Sequence, residues 1–197
     1  MKKRQLEIVL EGLDTYLSPD VTREQYPTPA PVAAELLHFA FMQGDLRGTV
    51  YDLGCGTGVL AIGAKLLGAK KATGFDSDDM AIKIARKNAK KVGAGVKFTT
   101  SDIGDVSGKA DTVVMNPPFG AQRKHADRAF LKKGLEVADV VYSLHNAGSR
   151  DFIKKFISPC VITHCIPVQF TLKRTFHFHK KDRVVREVEL YRMRKEK

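Results

Sequence analysis

The sequence predicts an α/β fold: a seven-stranded, mostly parallel sheet with helices on both faces and an antiparallel hairpin at one side. Two observations carry this. Short apolar runs rich in valine and aromatic residues recur seven times along the chain, and the early runs are separated by segments whose apolar residues repeat at helical spacing. Strand and helix in alternation imply parallel pairing, because right-handed crossovers lay the helices over both faces of a sheet. A length of 197 residues with 43% hydrophobic content suits one such unit, residues 1–197, with a helical extension over about residues 1–45.

The elements follow in order. Leu6, Val9, Leu10 and Leu13 make the N-terminal segment an amphipathic helix, expected to pack on the body of the protein. After the loop Tyr26-Pro27-Thr28-Pro29-Ala30-Pro31, a second helix runs to about Gln43 with Val32, Leu36, Phe39 and Ala40 on one face. Strands are expected near Thr49–Leu53, Lys71–Asp76, Val96–Thr100, Asp111–Met115, Asp139–Leu144, Val161–Phe170 and Val184–Met193. Helices are expected near Leu60–Leu67, Met80–Val92 and Asp127–Val137. The last two strands have no clear helix between them, which makes them the hairpin.

Composition narrows the function. Lysine and arginine number 33 against 22 acidic residues, a formal charge of +11, and that surplus attracts polyanions. The cysteines Cys55, Cys160 and Cys165 are too few and too irregular for a disulfide framework or a zinc ribbon. No apolar stretch could act as a signal peptide or span a bilayer, so a cytoplasmic protein is expected. His164, His177 and His179 match no common zinc spacing, and no metal site is expected.

Tyr51-Asp52-Leu53-Gly54-Cys55-Gly56-Thr57-Gly58 falls where the first strand ends and a helix begins. Ligands of open α/β sheets collect there, and glycines let the backbone come close to them. The spacing Gly-x-Gly-x-Gly differs from the dinucleotide pattern, since position 59 is Val59. Asp76 ends the second strand, 22 residues beyond Gly54, where a carboxylate can accept from both hydroxyls of a ribose. It could equally cap the following helix, a role open to Ser77, Asp78 or Asp79 as well. Asp102 follows the third strand, where it can accept from an adenine amino group while Ile103 covers the ring. Together these imply a cofactor containing adenosine.

The most specific feature is Asn116-Pro117-Pro118-Phe119 at the end of the fourth strand. The amino group of adenine is a poor nucleophile because its lone pair is delocalised into the ring. The Asn116 side-chain oxygen and the Pro117 carbonyl can each accept one of its N–H groups and return density to nitrogen. Phe119 can stack on an extruded base, and Pro117 with Pro118 holds the loop rigid.

With Asp-Leu-Gly-x-Gly-x-Gly, this motif resembles that of the class I Rossmann-like methyltransferases that methylate amino groups of adenine, guanine or glutamine. More narrowly, Glu24-Gln25-Tyr26-Pro27-Thr28, Gly74-Phe75-Asp76, Val114-Met115-Asn116-Pro117-Pro118-Phe119-Gly120, Val141-Tyr142-Ser143-Leu144-His145 and Phe178-His179-Lys180-Lys181 resemble the methyltransferase-like 5 group of ribosomal-RNA adenine-N6 methyltransferases. The resemblance implies S-adenosyl-L-methionine as cofactor. It would be held by Gln25 and Thr28 before the second helix, by Asp52, Gly54, Gly56, Thr57 and Val59 of the glycine loop, by Asp76, and by Asp102 with Ile103. Asn116, Pro117, Pro118 and Phe119 would form the target-base site. The group's eukaryotic members also imply a small zinc-containing activator subunit that covers exposed apolar surface.

For the nucleic acid, Arg123 and Lys124 follow the motif directly, and Lys173, Arg174, Lys180 and Lys181 lie near the last hairpin. These are the expected RNA-binding residues, with Phe170, Phe176 and Phe178 as stacking faces or core. Lys83, Arg86, Lys87, Lys90 and Lys91 read as a solvated helix face. The reading is methylation of adenine N6 in RNA, with ribosomal RNA as the expected substrate; a glutamine-amide methyltransferase and a cofactor-binding RNA chaperone without turnover are the alternatives.

Overall fold

The computed structural model describes residues 1–16, 27–119, 126–173 and 183–196, and of residues 171–173 and 183–186 the backbone only. Helices α1 (Lys3–Glu11) and α2 (Ala30–Met42) precede β1 (Thr49–Leu53), α3 (Val59–Leu66), β2 (Lys71–Asp76), α4 (Asp79–Lys91) and β3 (Lys97–Thr100). Then come β4 (Ala110–Met115), α5 (Ala126–Val137), β5 (Ala138–Asn146), α6 (Arg150–Phe156), β6 (Val161–Lys173) and β7 (Arg183–Arg194). All seven strands join one sheet in the order β3-β2-β1-β4-β5-β7-β6. The first five pair in parallel and the last two close antiparallel, with β7 between β5 and β6.

The seven expected strands are all present, within a residue at most ends; β6 runs on to Lys173 and β5 to Asn146. Helix α6 is the element the sequence reading lacks. Only Phe152, Ile153 and Phe156 mark its apolar side, and seven residues are too few to declare a helical period. Ile153 is nonetheless fully buried, and the helix covers the sheet face shared with α5.

Two apolar layers sandwich the sheet. On one face α1, α2, α3 and α4 pack on Val50, Val114, Tyr142 and Leu144; on the other α5 and α6 pack on Leu53, Val113, Met115 and Val141. The alternation Val113, Val114, Met115 across the pleat is what sends side chains to both layers. Helix α1 is packed, as its period predicts: Leu6 and Leu10 are buried. The α2–α3 crossing is close because Gly63 has no side chain, and a Cβ there would collide with Leu37. Helix α4 is capped by Asp78, which accepts from the Met80 N–H at 2.8 Å, and carries Lys90 and Lys91 in its last turn against the negative end of its dipole.

At the end of the sheet where the strands begin, Asp45 ties three strands together. Its carboxylate accepts from the Tyr142 hydroxyl of β5 and from Arg192 Nε of β7 at 2.8 Å, and its carbonyl accepts from Thr112 Oγ1 of β4 at 2.7 Å. Arg192 also reaches Thr163 of β6 at 2.8 Å, so the hairpin is fastened to the parallel strands by a charge pair between the buried Arg192 and the mostly covered Asp45.

Candidate active site

Strand order reverses between the parallel neighbours β1 and β4, which opens a crevice at the carboxyl ends of the parallel strands. A cavity of about 470 Å³ lies there. Its floor is the glycine loop. Gly58, at φ 88°, caps α3 in the left-handed region, and a Cβ on it would lie 2.9 Å from Phe98 and 3.0 Å from the Ala85 methyl, so the turn is confined to glycine by conformation and by space.

The loop is held by the two acids that precede helices. Asp76 Oδ2 accepts from the Gly56 N–H at 2.8 Å, and its Oδ1 from the Asp78 N–H at 2.9 Å. The cap of α4 is therefore Asp78, and Asp76 keeps its carboxylate on the cavity wall. Asp52 is 1% exposed; its Oδ2 accepts from the Ala61 N–H in the first turn of α3 at 2.8 Å, while its Oδ1 has no partner among the described residues. Burial pushes its pKa up to about 8, against the pull of the Ala61 N–H and with help from the charge of Asp76. The carboxyl is thus held as the neutral acid at neutral pH.

Of the residues expected to hold the cofactor, Thr28, Asp52, Gly54, Gly56, Thr57, Val59, Asp76, Asp102 and Ile103 all line this one cavity. Gln25 lies outside the described residues. Tyr16, Phe75, Val106 and Phe130 also line it, and the sequence reading missed them as site residues. Phe130 stands so close over Gly54 that a Cβ there would lie 2.9 Å from its ring. Its helical period marks it only as core, and nothing in the local pattern could show that α5 folds back over the loop.

The motif after β4 meets the same cavity. Asn116 and Pro118 line it, whereas Pro117 is buried beside it and the Phe119 ring stands edge-on to Phe170 at 5.9 Å. Asn116 Nδ2 donates to Thr28 Oγ1 at 3.0 Å, and Asn116 Oδ1 is buried without a partner among the described residues. A buried amide oxygen left unbonded costs roughly 1–3 kcal/mol, so an N–H brought in from outside is a chemistry this arrangement can accept. Phe170 is fully buried and serves as the rear support of Phe119, which corrects its expected place as a stacking face.

Behind the motif, Ser143 Oγ lies 2.7 Å from His145 Nε2, and His145 Nδ1 is 3.7 Å from Asp127 at the start of α5. The neighbouring His145 imidazole draws the Asp127 carboxyl below the usual range, against the opposing effect of partial burial. Ser143 pairs in register with Met115, so this chain braces α5 against the strand that carries Asn116.

Arg123, Lys124, Arg174, Lys180 and Lys181, expected on RNA, lie outside the described residues, as do Phe176 and Phe178; of Lys173 only its backbone, at the end of β6, is described. The basic face of α4 is exposed, as expected, and part of it also makes contacts that the sequence reading lacks. Lys87 and Lys91 pair with Asp14 at 2.7 and 3.0 Å, and Arg86 donates to the Phe98 carbonyl at 3.0 Å, so these side chains fasten structure together. Among the described residues no group of His, Cys, Asp or Glu is placed to hold a metal, and no helix is long and apolar enough to cross a membrane.

A family model for the methyltransferase small domain matches residues 32–148. The rRNA N(6)-adenosine-methyltransferase METTL5 of Danio rerio is 34% identical, covering 98% of each chain. An uncharacterised protein of Methanocaldococcus jannaschii is 41% identical over 99% of this chain and 95% of its own. The crystal structure of a protein from Pyrococcus horikoshii, described as a candidate RNA methyltransferase, superposes with a TM-score of 0.92 at 42% identity, covering 99% of this chain and 98% of that one.

Proposed function

Because the chain belongs to the methyltransferase small domain family and is related end to end to METTL5, we propose that it methylates the exocyclic N6 of adenine in RNA, with ribosomal RNA as substrate and S-adenosyl-L-methionine as donor. The observation that carries the reading is the buried Asn116 Oδ1 on the wall of the cavity, without a partner among the described residues.

The cavity fits the cofactor. Bare glycine backbone, the Asp76 carboxylate and the exposed Asp102 beside Ile103 supply a close approach, an acceptor for ribose hydroxyls and an acceptor with an apolar neighbour for adenine. Thr28, Asp52, Thr57 and Val59 complete the set, and Gln25, three residues before Thr28 in sequence, is assigned to it as well. When bound, the cofactor supplies a methyl group activated by a sulfonium.

The protein's own contribution is to the amine. Asn116 Oδ1 and the Pro117 carbonyl accept its two N–H groups, which localises the lone pair on nitrogen. Thr28, bonded to the other end of the Asn116 amide, fixes which way that amide faces. Pro118 stiffens the turn, and Phe119, buttressed by Phe170, offers a fixed ring to the base. Arg123, Lys124, Lys173, Arg174, Lys180 and Lys181 hold phosphates of the RNA around that pocket.

Residues 1–197 act as one unit in this reading, in the cytoplasm. A small zinc-containing activator subunit belongs to it as well, and copurification from the native cell tests for it. The decisive experiment incubates the protein and labelled cofactor with ribosomal RNA, DNA and protein fractions and identifies the product by mass spectrometry. N6-methyladenosine in RNA is the expected product; label in glutamine overturns the substrate assignment.

A further inference from the structure

The segment between α1 and the described end at Tyr16 is fastened at several points to the far side of the glycine loop. Asn88, fully buried on α4, accepts from the Asp14 N–H at 2.8 Å. Its Nδ2 donates to the Asp14 carbonyl at 2.9 Å and to the Thr57 carbonyl at 3.0 Å. One side chain therefore satisfies the backbone of the N-terminal segment and of the glycine loop at once. Lys91 Nζ adds a bond to the Gly12 carbonyl at 2.7 Å, and Lys87 and Lys91 both pair with the Asp14 carboxylate. A buried amide with all these bonds made is a specific latch, since losing either backbone partner would strand polar groups in the interior.

The consequence lies two residues on. Tyr16 enters the cavity wall, and a Cβ on Gly56 would lie 2.6 Å from its hydroxyl. Gly56 is the residue whose N–H Asp76 holds. A phenol and a carboxylate thus flank the same stretch of backbone, one able to donate and the other to accept. Burial, with the charge of Asp76 next, raises the Tyr16 pKa, so the hydroxyl keeps its proton. A donor beside an acceptor suits a hydroxyl ligand, which does both.

We infer that Tyr16 is a cofactor-binding residue, carried to the ribose side of the cavity by a latch between Asn88, Asp14 and Thr57, so that docking of the N-terminal segment and cofactor binding support each other. This rests on the methyltransferase reading and extends it to a residue outside the glycine-loop and strand-end set. It also gives a reason for the basic residues of α4: Lys87 and Lys91 hold the segment down through Asp14.

Calorimetric titration with S-adenosylhomocysteine tests it. Tyr16→Phe, which keeps the ring, should raise Kd by about 3- to 10-fold, the loss of one net hydrogen bond, and Tyr16→Ala by at least as much. Both should unfold at the wild-type temperature without ligand. Amide exchange over Leu6–Tyr16 should slow when S-adenosylhomocysteine binds the wild type. Unchanged Kd in both variants overturns the inference, as does exchange in that segment indifferent to the ligand. A wild type that binds no S-adenosylhomocysteine would instead sink the methyltransferase reading itself.

Discussion

Asn116 and Thr28 are joined at 3.0 Å, amide nitrogen to hydroxyl, and this bond decides that the amide oxygen of Asn116 is the atom left over. Removing the oxygen should cost turnover and spare the donor. Asn116→Ala is expected to lower kcat about a hundredfold or more, by analogy with deleting one oriented polar partner of a reacting group. Its affinity for S-adenosylhomocysteine should stay within about twofold of wild type. Thr28→Val keeps the shape and deletes the hydroxyl, so the amide loses its orientation and kcat falls by a smaller factor. Single-turnover rates alongside calorimetry separate the two effects; an Asn116→Ala enzyme at full rate would remove the acceptor role.

Asp52 should leave a signature in the pH dependence of stability. Its folded pKa is raised to about 8 from an ordinary value of 3.8, so the folded protein holds a proton that the unfolded chain gives up between those values. Stability from this group is therefore full below about pH 4 and declines as pH rises toward about 8. Asp52→Asn retains an oxygen for the Ala61 N–H and cannot ionise. Its thermal midpoint, set against that of the wild type, should gain steadily from about pH 5 to about pH 8. A constant difference over that range would mean that Asp52 is already charged in the fold.

The pair Asp45 and Arg192 predicts a strong effect on folding remote from the site. Arg192→Ala leaves the Asp45 carboxylate and the Tyr142 hydroxyl without their guanidinium in a place nearly closed to water. A loss of about 3–5 kcal/mol is expected from breaking one side of such a buried pair. Urea unfolding measures it directly. Arg192→Lys should recover only part, because an ammonium cannot reach Asp45 and Thr163 with the planar geometry of the guanidinium.

Much of this architecture is legible in the chain because the strands are apolar runs bounded by turns and each site residue stands at a strand end. Asp76, Asp102 and Asn116 fall at successive ends of β2, β3 and β4, so position along the chain is position around the cavity. What escaped depends on contacts between distant segments. Tyr16 and Phe130 reach the glycine loop from opposite ends of the fold, and no local period reports that. Lys87 and Lys91 look like any solvated helix face until Asp14, more than seventy residues away, is placed beside them. Phe170 alternates as a strand residue does, and only the position of Phe119 shows which way it faces.

The RNA surface gives the last prediction. Arg123 and Lys124 follow Phe119 by a few residues in sequence, and Lys173, Arg174, Lys180 and Lys181 fall in sequence between the end of β6 and the start of β7; both groups are proposed to grip phosphates near the base pocket. Phosphate contacts supply affinity more than sequence choice. Replacing these six by glutamine should raise KM for RNA and flatten its salt dependence, since each lost contact removes roughly one released counterion. S-adenosylhomocysteine affinity should not move. The control must avoid Lys87 and Lys91, because neutralising them would release Asp14 and disturb the N-terminal latch rather than report on RNA. Lys83 and Lys90 serve instead: both lie on α4, which flanks β2 and β3 on the other side of β1 from the motif-bearing strand β4. If Lys83→Gln with Lys90→Gln weakens RNA binding more than the six-residue variant does, the RNA runs over α4 and the proposed surface is wrong, while the assignment of Asn116 to the reacting amine is untouched.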